Sequence, residues 1–168
     1  MIMEIEDKNF SKINTSNFRE KLISYQQEYP CCIGYSTPHC THAKHQSDSY
    51  LHKRFNVISD SLHSCLNKNN IKVNITHLWV FITYENELID SIWHNHYDTM
   101  TINKDLKQLT ALMYLTHSKI GTEFENNYVI TPELNKWYVW DSKLNHKPLE
   151  TKTGEKRVII STALEVLE

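Results

Sequence analysis

The sequence predicts a mainly β fold with N-terminal α-helices, arranged as a closed or two-sheet antiparallel barrel against which the helices pack. Three observations lead there. Up to about position 70 the apolar residues recur at helical spacing; beyond it they fall into short, strand-length runs separated by turn signals. No helix-length insertion of the kind a parallel βαβ sheet requires lies between those runs. A chain of 168 residues is the length of one domain with one core, with a helical part at 1–70 and a barrel core at 71–168.

The elements follow in order. Phe18, Leu22, Tyr25 and Tyr29 recur at helical spacing behind a serine cap at Ser16, and Pro30 closes the segment. Residues 31–49 are polar and contain Gly34, Pro38 and three histidines, which predicts a long loop that covers a site or connects two elements. Leu51, Phe55, Ile58, Leu62, Cys65 and Leu66 then form an amphipathic helix, ended by Asn67-Lys68-Asn69-Asn70. Strands are expected around 73–84, 91–97, 106–115, 128–130, 137–140 and 157–164. Turns fall at Glu85-Asn86, 118–121, 132–135 and Thr153-Gly154.

Hydrophobic residues make up 40% of the chain and charged residues 23%, the composition of a folded protein. A formal net charge of −2 supplies no basic field for a phosphate backbone, so no nucleic-acid partner is expected. The N-terminus, MIMEIEDKNF, is acidic and lacks an apolar signal core, and no run is long enough to span a bilayer. No membrane partner is expected, and the expected location is cytoplasmic. The cysteines, Cys31, Cys32, Cys40 and Cys65, read as reduced thiols rather than as a disulfide framework. Cys31, Cys32, His39, Cys40, His42 and His45 have the composition of a zinc site without its separated ligand pairs, so this stretch reads as a polar loop.

The chemistry concentrates in Trp93-His94-Asn95-His96-Tyr97-Asp98. In a strand, residues two apart face the same way, so His96 and Asp98 can bind one side of a metal ion. With His146 they give two imidazoles and one carboxylate, the Fe(II) arrangement that leaves three coordination positions open. A 2-oxo acid fills two of them and dioxygen the third, and the distal carboxylate of the acid then calls for a guanidinium. Arg157 follows His146 after a turn at Gly154, which would set the two on adjacent antiparallel strands. His94 and His96 are also two apart, which leaves open a cupin-type metal site on His94, His96 and His146. Trp93, Trp137, Tyr138 and Trp140 read as strand aromatics in the core, with Trp93 a candidate for touching substrate.

The strings His96-Tyr97-Asp98-Thr99-Met100, Leu112-Met113-Tyr114-Leu115, Gly121-Thr122-Glu123-Phe124, Trp140-Asp141-Ser142, His146 and Arg157-Val158-Ile159-Ile160 together resemble the Fe(II)- and 2-oxoglutarate-dependent oxygenases, most of all their prolyl-hydroxylase-like branch. The resemblance covers roughly residues 75–164; where relatives carry paired glycines this chain has Gly121-Thr122. It implies a double-stranded β-helix (jelly roll, cupin-like), with Fe(II) at His96, Asp98 and His146. It places the distal carboxylate of 2-oxoglutarate at Arg157, with Tyr114 as a second contact. The implied activity is that of a dioxygenase using O2 to hydroxylate a C–H bond of a peptidyl residue such as proline, or of an amino-acid-like small molecule, with succinate and CO2 as coproducts. The implied partners are a small-molecule or peptide substrate, and the implied state is a monomer or homodimer. A non-catalytic metal- or ligand-binding barrel built on the same residues is the alternative from a different class.

Overall fold

A computed structural model of the chain describes residues 1–31, 45–87, 92–149 and 154–167. In chain order its elements are β1 (Met3–Glu6), α1 (Phe10–Ile13), α2 (Ser16–Glu28), a 3-10 turn (Leu51–Lys53), α3 (Asn56–Asn67), β2 (Lys72–Thr83), α4 (Tyr97–Met100), β3 (Gln108–Tyr114), β4 (Thr122–Phe124), β5 (Val129–Ile130), β6 (Lys136–Asp141), β7 (His146–Pro148) and β8 (Arg157–Leu167). The strands form a five-stranded sheet, β1-β6-β3-β8-β2, and a three-stranded sheet, β5-β4-β7, antiparallel throughout.

Period-two alternation gives the large sheet two different faces. Leu109, Ala111 and Met113 of β3, Trp137 and Val139 of β6, and Val158, Ile160 and Leu164 of β8 share one cluster with Leu22 and Ile23 of α2 and Ile58, Leu62 and Leu66 of α3. The intervening residues Leu112, Tyr114, Tyr138, Trp140 and Ile159 pack instead with Phe124 of β4 and Ile130 of β5. One face of the sheet therefore carries the helices, and the other meets the small sheet. A register shift in β2 between Ile75 and His77 changes its phase, so that Val73 and Ile75 before it and Leu78, Val80 and Ile82 after it all reach the helical side.

Local chemistry sets the connections. Thr15, not Ser16, caps α2, accepting from Phe18 N at 3.2 Å. Asn70, Asn86, Asn127 and Asn135 all take positive φ, in a chain with only three glycines. At Asn70 the turn lets Ile71 N reach Leu66 O at 3.0 Å and closes α3. Buried Asp7 joins three elements: its carboxylate accepts from Phe10 N at 3.1 Å and from Ser61 Oγ, and Ser61 Oγ accepts from Trp137 Nε1 at 3.2 Å.

Several expectations change. The N-terminal part is not all helical, because Met3–Glu6 pairs with β6. The 51–66 helix is broken into the 3-10 turn and α3. The described part of 91–97 is not a strand: His94 makes a single bridge to His146, and the chain then coils into α4. Strands β7 and β8 lie in different sheets, so His146 and Arg157 are not on adjacent strands. Cys31 is disulfide-bonded, against the expectation of reduced thiols, while Cys65 is free and buried. Residues 32–44, which carry most of the cysteine and histidine cluster, and Thr153 of the proposed turn lie outside the described residues. Among the described residues no helix is long and apolar enough to cross a membrane.

Gly121 is required by space, since a Cβ there would stand 1.8 Å from the Ile130 carbonyl oxygen, whereas a Cβ on Gly154 would meet nothing within 4 Å. In urea unfolding, Gly121→Ala is expected to lose about 1–3 kcal/mol. Gly154→Ala should stay within about 0.5 kcal/mol of the parent.

Candidate metal and anion site

The small sheet and the segment before α4 bring three imidazoles together. Backbone hydrogen bonds between His94 and His146 run in both directions, at 3.0 Å and 2.9 Å. His96 N donates to Ser142 O at 3.2 Å, which folds the next imidazole inward. One ligand nitrogen from each of His94, His96 and His146 lies within 4.8 Å of the other two, a geometry able to hold a metal ion. His96 and His146 are buried, at 6% and 4% exposure.

The ring orientations are fixed by their second nitrogens. His146 Nδ1 donates to Leu144 O at 3.1 Å and His94 Nδ1 to Ile92 O at 2.9 Å; carbonyls only accept, so in the neutral form of each ring Nε2 carries the lone pair. His96 Nδ1 pairs with Thr110 Oγ1 at 3.2 Å, and Thr110 Oγ1 pairs with Ser142 Oγ at 2.9 Å. Trp79 flanks His96 at 5.3 Å between ring centroids, and Trp140 and Phe124 flank His146 at 5.1 and 5.8 Å. Burial, with His94 beside it, pushes the His146 imidazole down to about 3. The ring is thereby kept neutral, as a metal ligand must be.

Asp98 stands differently. It is exposed, in the first turn of α4. Its carboxylate accepts from Asn95 Nδ2 at 2.9 Å while Asn95 Oδ1 accepts from Asp98 N at 3.0 Å, a reciprocal pairing just before the turn. Asn95 Nδ2 also donates to Asn145 Oδ1 at 3.0 Å, tying together the two segments that carry the histidines. The structure thus converges His96 and His146 with His94, and the Asp98 carboxylate is not a member of that cluster.

Arg157 opens β8 on the inner face and is 2% exposed. Its guanidinium lies 5.5 Å from the Tyr114 ring and 5.9 Å from Phe81, and the Tyr114 hydroxyl pairs with Thr122 Oγ1 at 2.8 Å. Burial lowers the pKa of Arg157 and Tyr114 acts against that; burial raises the pKa of Tyr114. Nε and Nη1 of Arg157 are buried without a hydrogen-bond partner, and so is the hydroxyl of Thr83, the residue opposite Arg157 in register. Buried donors left unpaired in a protein interior call for an acceptor, and a carboxylate meets a guanidinium with two. Sequence reading singles out Arg157 and Tyr114 but not Thr83, whose place beside Arg157 depends on the β2–β8 register. At the rim, Trp93 is 45% exposed, with Lys147 Nζ 4.7 Å above its ring and 3.4 Å from Glu123.

No protein-family model matches the chain, and no curated protein matches it in sequence. Solved structures do share its fold. The α-ketoglutarate-dependent non-haem carbocyclase SnoK of nogalamycin biosynthesis superposes with a TM-score of 0.75 at 9% identity, over 98% of this chain and 79% of its own. A viral collagen prolyl hydroxylase from Paramecium Bursaria Chlorella virus-1, in its 2-oxoglutarate complex, gives 0.61 at 15% identity over 99% and 96%. HygX from Streptomyces hygroscopicus, with nickel and 2-oxoglutarate bound, gives 0.64 at 10% identity over 98% and 81%.

The hydroxyl that orients His96 offers a direct test of the cluster. Thr110→Val keeps the shape of the side chain and removes its hydrogen bond, and is expected to weaken Ni(II) binding by about 10–100-fold in calorimetric titration. His146→Ala should abolish the rise in melting temperature that Ni(II) gives the parent.

Proposed function

We propose that the chain is an Fe(II)- and 2-oxoglutarate-dependent dioxygenase on a double-stranded β-helix, hydroxylating a C–H bond of a peptidyl residue such as proline or of an amino-acid-like small molecule. The observation that carries this reading is the pairing, within one two-sheet interior, of a three-imidazole cluster with a fully buried arginine whose Nε and Nη1 have no protein acceptor. The shared fold supports it: structures of that fold hold 2-oxoglutarate with nickel, or with Fe3+ in the epimerase SnoN.

His96 and His146 hold the iron in this reading. The geometry favours His94 as the third ligand, and the sequence resemblance favours Asp98, two residues from His96 and anchored at the rim by Asn95. Arg157 holds the distal carboxylate of 2-oxoglutarate, with Tyr114 and Thr83 beside it. Iron, 2-oxoglutarate and O2 together supply the oxidising power for hydroxylation, one oxygen atom going to the substrate and one to succinate as CO2 leaves. The chain supplies the rest. Thr110 and Ser142 orient His96, the Leu144 carbonyl orients His146, and Trp79, Phe124 and Trp140 keep water from the buried side of the histidines. Trp93 and Lys147 stand at the open rim where a substrate enters.

Anaerobic addition of Fe(II) and then 2-oxoglutarate is expected to give a weak visible charge-transfer band that requires both. His94→Ala should lose the band and Asp98→Ala keep it. The opposite pair of results moves the third ligand to Asp98, and no band in the iron-loaded parent overturns the 2-oxoglutarate reading.

Arg157→Met separates binding from stability. It should raise the 2-oxoglutarate concentration needed for the band by about 100-fold or more, since one charged partner is lost. Its ligand-free unfolding free energy should stay within about 1 kcal/mol of the parent or exceed it, because a buried charge with two unpaired donors contributes little to the fold.

A further inference from the structure

Strand β6 carries two buried tryptophans on opposite faces, and their indole N–H groups fare differently. Trp137, on the helical side, donates to Ser61 Oγ at 3.2 Å. Between them Tyr138 donates its hydroxyl to Thr131 O at 3.0 Å and accepts from Glu133 N at 3.2 Å. Trp140, on the inner side and 1% exposed, has its Nε1 buried without a hydrogen-bond partner. An indole N–H can only donate, and burying it unpaired is costly, so a strand that satisfies its other buried polar aromatics leaves this one for an acceptor that the described residues do not provide.

The position of Trp140 says which acceptor. Its ring stands edge-on to His146, with centroids 5.1 Å apart, and to Phe124 at the same distance. Across the sheet its register partner is Thr110, which holds His96. The unpaired nitrogens of Arg157 belong to the other end of the same sheet face, on β8. The inner face thus presents unmatched donors at two places, one beside the histidines and one around the arginine. A ligand with acceptor oxygens at both ends, a dicarboxylate, would supply an acceptor at each.

We propose that Trp140 is a binding residue for the cosubstrate, its indole N–H donating to the oxygen of 2-oxoglutarate that lies nearest His146; this rests on the cosubstrate reading above. A neutral donor at that position contributes selectivity without a charge to compete with the metal. It accepts a carboxylate or keto oxygen and rejects an amine or amide N–H in its place.

The test uses Zn(II)-loaded protein, diamagnetic and redox-inert, labelled with nitrogen-15 and titrated with 2-oxoglutarate. The Trp140 indole N–H signal, identified by its contacts with the Phe124 ring, is expected to move downfield as ligand is added. Trp140→Phe is expected to bind 2-oxoglutarate about tenfold more weakly or worse, with Zn(II) affinity within about threefold of the parent. If the parent binds 2-oxoglutarate and either the indole signal does not shift downfield or Trp140→Phe binds as the parent does, the assignment of Trp140 is overturned while the cosubstrate reading stands. Failure of the Zn(II)-loaded parent to bind 2-oxoglutarate at all overturns the cosubstrate reading, and the Trp140 assignment with it. The indole signal is read on the parent protein, so the proposal stays testable even where the variant does not fold.

Discussion

Strand β8 is hydrogen-bonded along both edges, to β2 over its whole length and to β3 from Ile159 to Glu165, and this double pairing decides what each of its side chains does. A slip of one residue would exchange its two faces. Val158, Ile160 and Leu164 would leave the helical core, and Arg157 would enter it. The apolar packing of α2 and α3 against one face therefore fixes the register that points the arginine into the other. Stability and chemistry are separated by the pleat of a single strand.

That separation has an energetic consequence. The helical face is a nearly continuous apolar cluster, and its burial is what holds the domain together. The inner face buries polar groups instead: Arg157, Thr83, Thr110, Ser161, and His146 from the opposing sheet. An unpaired buried donor costs about 1–3 kcal/mol, so the inner face lowers the stability of the ligand-free chain and, in the proposed reading, would gain when an anion supplies the missing acceptors. A scaffold with one face to hold it together can carry another that is incomplete alone.

Much of this was legible in the residues. The long strands declare themselves as near-continuous apolar runs of strand length bounded by turn signals, and His96, His146 and Arg157 stand out by residue type and order. Short elements do not. Strands β4 and β7, three residues each, are strands because their neighbours pair with them rather than because of composition. The same limit applies to the candidate metal cluster. Reading 91–97 as a strand aligns His96 with Asp98, but Asp98 N bonds back to Asn95 Oδ1 and the chain enters a helical turn, and the single His94–His146 bridge turns a different imidazole toward the centre. That bridge joins positions 52 apart in sequence, and nothing local to either one encodes it.

In the proposed reading, the identity of the third ligand would also change the charge of the interior. A carboxylate would bring a negative charge to a divalent metal and leave the site at +1; three neutral imidazoles would leave it at +2, and burial keeps His146 neutral. Arg157 adds a further positive charge on the same inner face, and the nearest buried acid along β8, Glu165, accepts from Asn103 N at 3.0 Å and from Asn74 Nδ2 at 3.3 Å rather than from the arginine. With three imidazoles, a dianionic ligand is therefore the main source of neutralising charge for both metal and arginine. In a water-poor interior that attraction is large, so metal and dicarboxylate should bind as a linked pair, each raising the affinity for the other. With Asp98 on the metal the linkage would be weaker. The strength of that coupling is thus a physical signature of the ligand set, independent of turnover.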